Sequence, residues 1–282
     1  MPELPEVETV RRGLEQRSIG RTIERLEVLR PTLLASPQEP EAFRQALEGC
    51  TLIAWQRRGK YLLARLERAG DGPAGCWGVH LRMTGQFLWL DPTVPVCRHT
   101  RCRLWLVGGE ELRFVDMRSF GQMWWVPPEL PPEAVISGLR RLGPEPFDST
   151  FDGPYLQAKL AGSSRSIKAA LLDQALVAGV GNIYADEALF LAGLRPHTKA
   201  GALSPGDAEG LRQALVQVLE LSIGAGGTTF SDFRDLTGTN GRYGGEAWVY
   251  RRSGQPCRRC GTSIRRDRLV GRSSHWCPQC QR

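Results

Sequence analysis

The first residues of the chain, Met1-Pro2-Glu3-Leu4-Pro5-Glu6, place a proline and a carboxylate side by side at the amino terminus. Removal of Met1, which a small second residue normally permits, would leave the Pro2 nitrogen as a free secondary amine. The reference pKa of a terminal amine is about 7.7–8.0, so a fraction is uncharged and nucleophilic near neutral pH. Attack by this amine on a sugar C1′ would give an iminium ion with no N–H to lose, and Glu3 could then move protons.

The same residues also fit an ordinary helix start. Leu4, Val7, Val10 and Leu14 recur at helical spacing and predict an amphipathic helix over about residues 2–16. A carboxylate in the first helical turn interacts favourably with the helix dipole whether or not it has a catalytic role. The amino terminus alone therefore leaves catalysis and simple helix capping both open.

Four cysteines near the other end of the chain form two C-x-x-C pairs, Cys257 with Cys260 and Cys277 with Cys280, with 16 residues between them. Two such pairs predict a tetrahedral four-cysteine site for one structural Zn²⁺, since four thiolates leave no open position on the metal. Two disulfides are the alternative, which a cytosolic location would disfavour, and no secretory signal is apparent. His275 is a further candidate ligand.

The charge of the chain is concentrated around these cysteines. Residues 241–282 contain ten arginines and only two acidic residues, whereas the whole chain has a net charge of +7. The remaining residues are therefore nearly neutral in sum. A small, almost purely cationic module is typical of a surface that contacts a polyanion, and a merely solvated charged surface explains it less well.

The length and composition predict a globular chain with two domains and a zinc module, since 41% of its 282 residues are hydrophobic. No apolar run is long enough for a transmembrane helix. Seven strands are expected in the first half, at residues 22–30, 49–56, 61–66, 76–83, 103–107, 111–115 and 122–126. Five helices are expected after the proline-rich stretch 127–132, at residues 132–142, 153–160, 167–172, 183–192 and 205–223.

These patterns predict an α+β fold with an N-terminal helix and a β-sandwich or barrel at residues 1–130, a helical domain at 131–244 and a zinc finger at 245–282. Several segments of the chain resemble bacterial formamidopyrimidine-DNA glycosylase, in order along the chain. The segments are the MPELPE start, QRRGKYL at 56–62, HLRMTG at 80–85, DMRSFG at 116–121, LGPEP at 142–146, GVGNIYA at 179–185 and the closing cysteine module.

The resemblance implies a base-excision repair enzyme that acts as a monomer in the bacterial cytoplasm, associated with the nucleoid. Such an enzyme removes oxidised purines, 8-oxoguanine and formamidopyrimidines, from double-stranded DNA and cuts the strand by β,δ-elimination. The family's helical domain carries a helix–two-turn–helix motif. The resemblance assigns four catalytic residues: Pro2 as nucleophile, Glu3 for proton transfer, Lys60 as phosphate contact and proton donor, and Arg272 as the residue that grips phosphates and assists the second elimination.

The resemblance also implies a set of DNA-binding residues. Met83, Arg118 and Phe120 would fill the space left by the extruded base, with Arg118 reading its partner. His99, Arg165, Lys168 and Asn182 would contact the DNA backbone, and Asn182 is also predicted to cap a helix. Arg165 lies in Gly162-Ser163-Ser164-Arg165-Ser166, where some relatives have a lysine run. The segment 226–245 would close over the extruded base.

Two competing hypotheses follow from the same residues. An endonuclease VIII-like enzyme would prefer oxidised pyrimidines, but those enzymes usually begin Pro-Glu-Gly, whereas this chain has Leu4. A zinc-dependent DNA-binding protein without catalysis would account for the basic finger and would leave Pro2 and Glu3 unexplained.

Overall fold

The structure is a computed structural model that describes residues 1–229 and 233–282. Their contacts group into two compact units. The first unit comprises Met1–Arg140 together with Gly226–Arg242, and the second comprises Arg141–Ala225 together with Tyr243–Arg282.

The first unit contains an N-terminal helix, two β-sheets and two short helices. In chain order its elements are α1 (Leu4–Ser18), β1 (Ile23–Val28), β2 (Leu34–Ser36), α2 (Pro40–Leu47), β3 (Cys50–Arg58), β4 (Tyr61–Arg68), β5 (Gly72–His80), β6 (Gly85–Leu90), β7 (Thr100–Leu106), β8 (Glu110–Asp116), β9 (Gln122–Val126) and α3 (Pro132–Val135). One sheet has the order β1-β7-β8-β6 and the other β2-β9-β5-β4-β3. All strand pairs are antiparallel except β2 with β9.

The two sheets share one hydrophobic core. The core includes three fully buried aromatic rings, Trp77 on β5, Phe87 on β6 and Phe114 on β8. Phe87 packs edge to face against both Trp77 and Phe114. Because side chains alternate along a strand, each sheet turns one apolar face to this core. The predicted β-sandwich with an N-terminal helix is therefore confirmed.

The second unit combines four helices with a β-hairpin. Its elements are α4 (Gly153–Leu160), α5 (Ile167–Leu171), α6 (Asn182–Leu191), α7 (Pro205–Gly224), β10 (Arg265–Leu269) and β11 (Arg272–Trp276). Asp152 caps α4, and Ser204 with Asp207 forms a capping box on α7. The two neighbouring acidic residues Asp186 and Glu187 on α6 are fully buried, so this helix faces the interior with polar as well as apolar groups.

The structure differs from the predicted elements at four places. The strands β2 and β6 and the helix α2 were not predicted, so the expectation that every helix after the N-terminal one follows the proline-rich stretch 127–132 is wrong. The segment GQFLWL that forms β6 is a short apolar run whose periodicity does not distinguish strand from helix. The predicted helix 132–142 is divided into α3 and a 3₁₀ turn at Leu139–Arg141.

The segment that follows α7 packs with the first unit, although the predicted domain boundary places it with the helices. Leu236 is buried in the first unit's core, and its carbonyl accepts a hydrogen bond from the Trp89 N–H at 2.9 Å. The three-domain division with boundaries at 130 and 244 stays a prediction. None of the helices in the described part of the chain has the length and hydropathy needed to cross a membrane.

Candidate active site and metal centre

The N-terminus of α1 holds Glu3 in a buried, fixed position. Glu3 is the N-cap residue, and its N–H donates to Oε2 of Glu6 at 2.8 Å. Both carboxylates are almost completely buried, and Pro2 is buried beside them. The second oxygen of Glu6 accepts a hydrogen bond from the Thr228 N–H at 2.7 Å. Glu6 therefore joins the helix start to the segment that begins at residue 226.

Helix α1 lies along β3 with its N-terminal end towards the turn that follows this strand. Near the end of the helix, Trp55 Nε1 donates to the Ser18 hydroxyl at 2.8 Å. Nearer its start, Arg57 Nε donates to Glu8 at 3.2 Å. Since β3 runs from Cys50 to Arg58, the first turn of α1 lies at the β3–β4 turn. That turn contains Lys60, as the sequence predicts, so Pro2, Glu3 and Lys60 lie at the same end of the unit.

The sheet brings further loops to that end. Tyr61, His80 and Gln122 are register neighbours across β4, β5 and β9. The chain continues beyond this row into three loops, which carry Lys60, Met83 and Phe120 respectively. Three residues from distant parts of the sequence are thus brought to one sheet edge by strand register.

A buried histidine fixes the loop that carries Met83. The Nδ1 atom of His80 accepts a hydrogen bond from the Arg82 N–H at 2.9 Å. Burial, with additional repulsion from Arg82 and Lys60, lowers the pKa of His80 to about 3, so the ring is neutral near pH 7 and can accept this bond. Arg82 has a left-handed backbone with φ of 55°. The bond holds this uncommon conformation in place, immediately before Met83.

Asp116, at the end of β8, organises the loops that carry Met83 and Phe120. Its carboxylate is fully buried and accepts hydrogen bonds from the Thr84 hydroxyl, the Arg118 N–H at 3.1 Å and the Gly121 N–H at 2.7 Å. The loops before β6 and before β9 therefore share one anchor. The sequence shows an Asp in this motif, but only the structure shows that it is a buried acceptor.

The side chains on these loops are exposed or half-buried. The Arg118 guanidinium lies 4.7 Å from the centroid of the Phe120 ring, and Phe120 is 51% exposed. Met83 is half-buried. His99 lies at the same end, since its carbonyl accepts from the Asp116 N–H at 2.9 Å. The first unit thus brings together seven of the predicted site residues: Pro2, Glu3, Lys60, Met83, His99, Arg118 and Phe120.

Two of the predicted site residues of the second unit, Arg272 and Asn182, lie close together in the fold. Arg272 is exposed at the first position of β11, and Asn182 is the first residue of α6. The Nδ2 atom of Asn182 lies 3.4 Å from the hydroxyl of Ser273, next to Arg272. The predicted N-cap role of Asn182 is wrong, because Gly181 has the extended backbone of the cap and Asn182 is already helical.

Arg165 and Lys168 differ sharply in exposure. Arg165 is exposed, and its guanidinium bonds to Asp173 at 2.9 Å. The Lys168 side chain is completely buried, with its ammonium against Asp186 and the carbonyl of Ser273. The prediction that Lys168 contacts the DNA backbone is therefore wrong, because its ammonium has no exposed surface that could bind a phosphate. The helical spacing of the sequence did not reveal which face of α5 the lysine occupies.

The four predicted metal ligands form one cluster. The sulfur atoms of Cys257, Cys260, Cys277 and Cys280 all lie within 4.8 Å of one another. The sulfur atoms of Cys257 and Cys280 are 3.9 Å apart, and those of Cys260 and Cys277 are 3.5 Å apart. Zn–S bonds of about 2.3 Å in a tetrahedron require S···S separations of about 3.8 Å, so the cluster fits a four-thiolate zinc site.

Neither alternative for these cysteines, two disulfides or His275 as a ligand, is found among the described residues. All eight cysteines of the chain are free thiols, so no disulfides replace the cluster. The His275 ring faces Asp186, with Nδ1 3.1 Å from Oδ2. The metal-ligand candidates found among the described residues are the four cysteines.

A second buried carboxylate ties the cysteine module to the helices of its unit. Glu187 on α6 accepts hydrogen bonds from the N–H groups of Trp248, Val249 and Tyr250, at 2.7, 2.9 and 2.9 Å. Burial raises the pKa of Glu187, while these three bonds act in the opposite direction. No motif in the sequence indicated this anchor. Within the predicted lesion-closing segment 226–245, residues Phe230, Ser231 and Asp232 lie outside the described residues.

Three family models match successive parts of the chain. The N-terminal domain of formamidopyrimidine-DNA glycosylase matches residues 1–123, its H2TH domain matches 142–234, and the zinc finger found in FPG and IleRS matches 254–282. The H2TH match confirms the expected helix–two-turn–helix motif.

Similar proteins cover the whole chain. A formamidopyrimidine-DNA glycosylase of Parasynechococcus marenigrum is 63% identical over 281 residues, with complete coverage of both chains. A Lactococcus lactis FPG variant in complex with Fapy-dG DNA has a TM-score of 0.90 at 34% identity, again over the whole of both chains. A MutM complex with DNA containing carbocyclic 8-oxo-G has a TM-score of 0.88 at 34% identity and equal coverage. The chain therefore belongs to the formamidopyrimidine-DNA glycosylase family, a family of DNA glycosylases with AP lyase activity.

Proposed function

We propose that this chain removes oxidised purines, 8-oxoguanine and formamidopyrimidines, from duplex DNA and then cuts the strand at the resulting abasic site. The observation that carries the proposal is the arrangement of Pro2, Glu3 and Lys60 at the end of the sandwich where the Met83 and Phe120 loops also emerge. The similar proteins in complex with Fapy-dG and 8-oxo-G DNA support this choice of substrate.

The proposed chemistry begins at Pro2. Its free amine attacks C1′ of the damaged nucleotide, the bond to the base breaks, and the base leaves with a proton. Opening of the sugar ring then leaves an iminium ion between Pro2 and C1′, with Glu3 transferring the proton that the ring oxygen takes up. Glu3 is the N-cap residue of α1, where the positive end of the helix dipole interacts favourably with a carboxylate, so its side chain is held beside Pro2.

Strand cutting follows from the iminium ion. Its electron withdrawal acidifies C2′–H, so loss of this proton expels the 3′ phosphate. The conjugated product then loses a second proton and expels the 5′ phosphate. Arg272 and Lys60 supply positive charge for the phosphates, and this stabilises the two leaving groups. The two steps correspond to β- and δ-elimination.

The remaining assignments concern binding and the metal. Met83 and Phe120 replace the stacking lost when the base is extruded, and Arg118 donates to the partner base. Exposed Arg165, with Asn182 and His99, contacts the backbone. One Zn²⁺ on the four cysteines holds the hairpin that carries Arg272 and takes no part in the reaction, because its four thiolate ligands leave no site for substrate. The chain acts on duplex DNA as a monomer.

Borohydride trapping tests the covalent step. We expect reduction during turnover of a duplex with 8-oxoguanine opposite cytosine to cross-link the DNA to the chain, with the modified peptide mapping to Pro2. An equivalent duplex with an oxidised pyrimidine should trap less, which separates this proposal from the endonuclease VIII-like alternative. Tight binding without any cross-link would count against it, and mass spectrometry of the N-terminus would show whether a retained Met1 had turned the Pro2 nitrogen into an amide.

A second test concerns Arg272. For Arg272→Ala we expect the slope of log affinity against log salt concentration to become shallower by about 0.9, since one phosphate contact is lost. The second strand cut should also slow. Arg30→Ala removes an exposed arginine of the first unit and is the matched control. An unchanged slope and an unchanged rate of cutting would remove Arg272 from the interface.

A further inference from the structure

A buried ion pair connects two helices of the second unit to the strand that carries Arg272. Lys168 on α5 and Asp186 on α6 are both completely buried, and the ammonium lies 2.5 Å from Oδ1 of Asp186. The same ammonium donates to the main-chain carbonyl of Ser273 at 2.6 Å. Ser273 follows Arg272 directly, so the lysine is fastened to the backbone one residue away from it.

The carboxylate of the pair holds the next two residues of the strand. Oδ2 of Asp186 accepts from the His275 N–H at 2.9 Å, and the Ser274 hydroxyl lies 3.4 Å from Oδ1. Three consecutive residues of β11 are therefore bound by one buried pair. The hairpin needs such support, because an isolated two-stranded ribbon is only marginally stable in water.

Simple stabilisation does not explain why these groups are charged. Removing two charges from water is costly, and apolar side chains of similar volume often replace a buried ion pair without loss of stability. Apolar replacements, however, could not donate a directed hydrogen bond to the Ser273 carbonyl. The contact that distinguishes a lysine from an apolar residue at position 168 is this bond to the backbone beside Arg272.

We propose that Lys168 is a positioning residue for Arg272, which acts through the backbone of Ser273 and does not itself contact DNA. Asp186 holds the Lys168 ammonium in place inside the fold, and the ammonium sets the backbone from which the Arg272 side chain projects. This inference rests on the proposed role of Arg272 in strand cutting. A positioning error of about 1 Å costs up to about 100-fold in rate when a charged group must meet a developing charge.

Three variants test the proposal in the full-length chain with its metal. Lys168→Met keeps the length of the side chain and removes the charge and the donor. The double variant Lys168→Met/Asp186→Asn removes the lone buried charge that the first change leaves behind. Lys159→Met is the matched control, because Lys159 is an exposed lysine on α4. Base removal, first cut and second cut are followed separately under single-turnover conditions, together with Tm and zinc content.

We expect Lys168→Met to lower the Tm and to slow the second cut by about 10- to 100-fold, with a much smaller effect on base removal. In the double variant the Tm should recover while the second cut stays slow, with zinc bound in both. The proposal is overturned if the second cut recovers together with the Tm, because that result indicates a purely structural role. It is also overturned if Lys168→Met cuts at the parental rate.

Arg272→Ala, measured in parallel, separates this inference from the proposed function. If Arg272→Ala slows the second cut and the double variant does not, only the positioning role of Lys168 is wrong. If Arg272→Ala cuts normally, the proposed role of Arg272 fails, and the positioning role fails with it. Slow cutting by both variants supports the two statements together.

Discussion

Replacing Glu3 with Gln should lower the single-turnover rate of 8-oxoguanine release by about 10²- to 10⁴-fold, the range that a positioned proton-transfer group contributes. Gln preserves the size of the side chain and an oxygen that can accept at the helix N-terminus, but it cannot take up or deliver a proton. The main-chain bond from residue 3 to Glu6 does not depend on the side chain. The fold should therefore persist, with a loss of about 0.3–1 kcal/mol in the free energy of unfolding from the missing dipole interaction.

The matched control for this change is Glu24→Gln, because Glu24 is exposed on β1 and lies at the surface of the same unit. Its excision rate should equal that of the parent. A Glu3→Gln variant that excises 8-oxoguanine at the parental rate would favour another proton-transfer group. If neither the variant nor the parent excised a base, the DNA-binding protein without catalysis would be the better description.

Loss of the metal site is the second change for which we expect a large effect, here on the folding of the hairpin and on DNA affinity. We expect Cys277→Ser, or removal of the metal by a chelator, to unfold the hairpin of β10 and β11, since binding of a structural zinc ion supplies much of the folding free energy of such modules. Cys277 is fully buried, and its sulfur lies 3.5 Å from that of Cys260. Affinity for lesion DNA should fall, and the salt slope should become shallower by about 0.9 for each phosphate contact that is lost.

Zinc content, far-UV circular dichroism and binding isotherms at several salt concentrations would measure these effects. Cys97→Ser is the control, because Cys97 is an exposed thiol outside the cluster. The helices of the second unit should remain folded, since α6 and α7 pack directly against each other and this contact does not involve the cysteine module. Unchanged DNA affinity in a metal-free chain would contradict the proposed role of the cysteine module.

Part of the site was predictable because local sequence is sufficient for it. The two C-x-x-C pairs predict a metal cluster since each pair needs only one tight turn. The position of Lys60 between two strands also follows from local alternation, and it is confirmed by β3 and β4. The family motifs, which are contiguous runs of residues, led to the family membership that the comparisons then established.

Other parts depend on which residues become neighbours only after folding. Asp116 is one acid among many in the sequence, and it becomes the shared anchor of two loops because the register of β6 and β8 pairs it with Gly85. Lys168 was expected to contact the DNA backbone because of the resemblance to the family. The structure buries it, because α5 turns this position towards Asp186 and β11.

The sequence by itself determined the fold class, the four-cysteine cluster and the chemical types at the amino terminus, since these follow from composition, periodicity and short-range spacing. Only the tertiary structure decided which of the charged residues face solvent and which are interior anchors. The physical reason is that the exposure of a lysine or an aspartate depends on the elements packed against it, and those elements are distant in the chain. Glu6, His80, Asp116 and Lys168 all acquired their roles in this way.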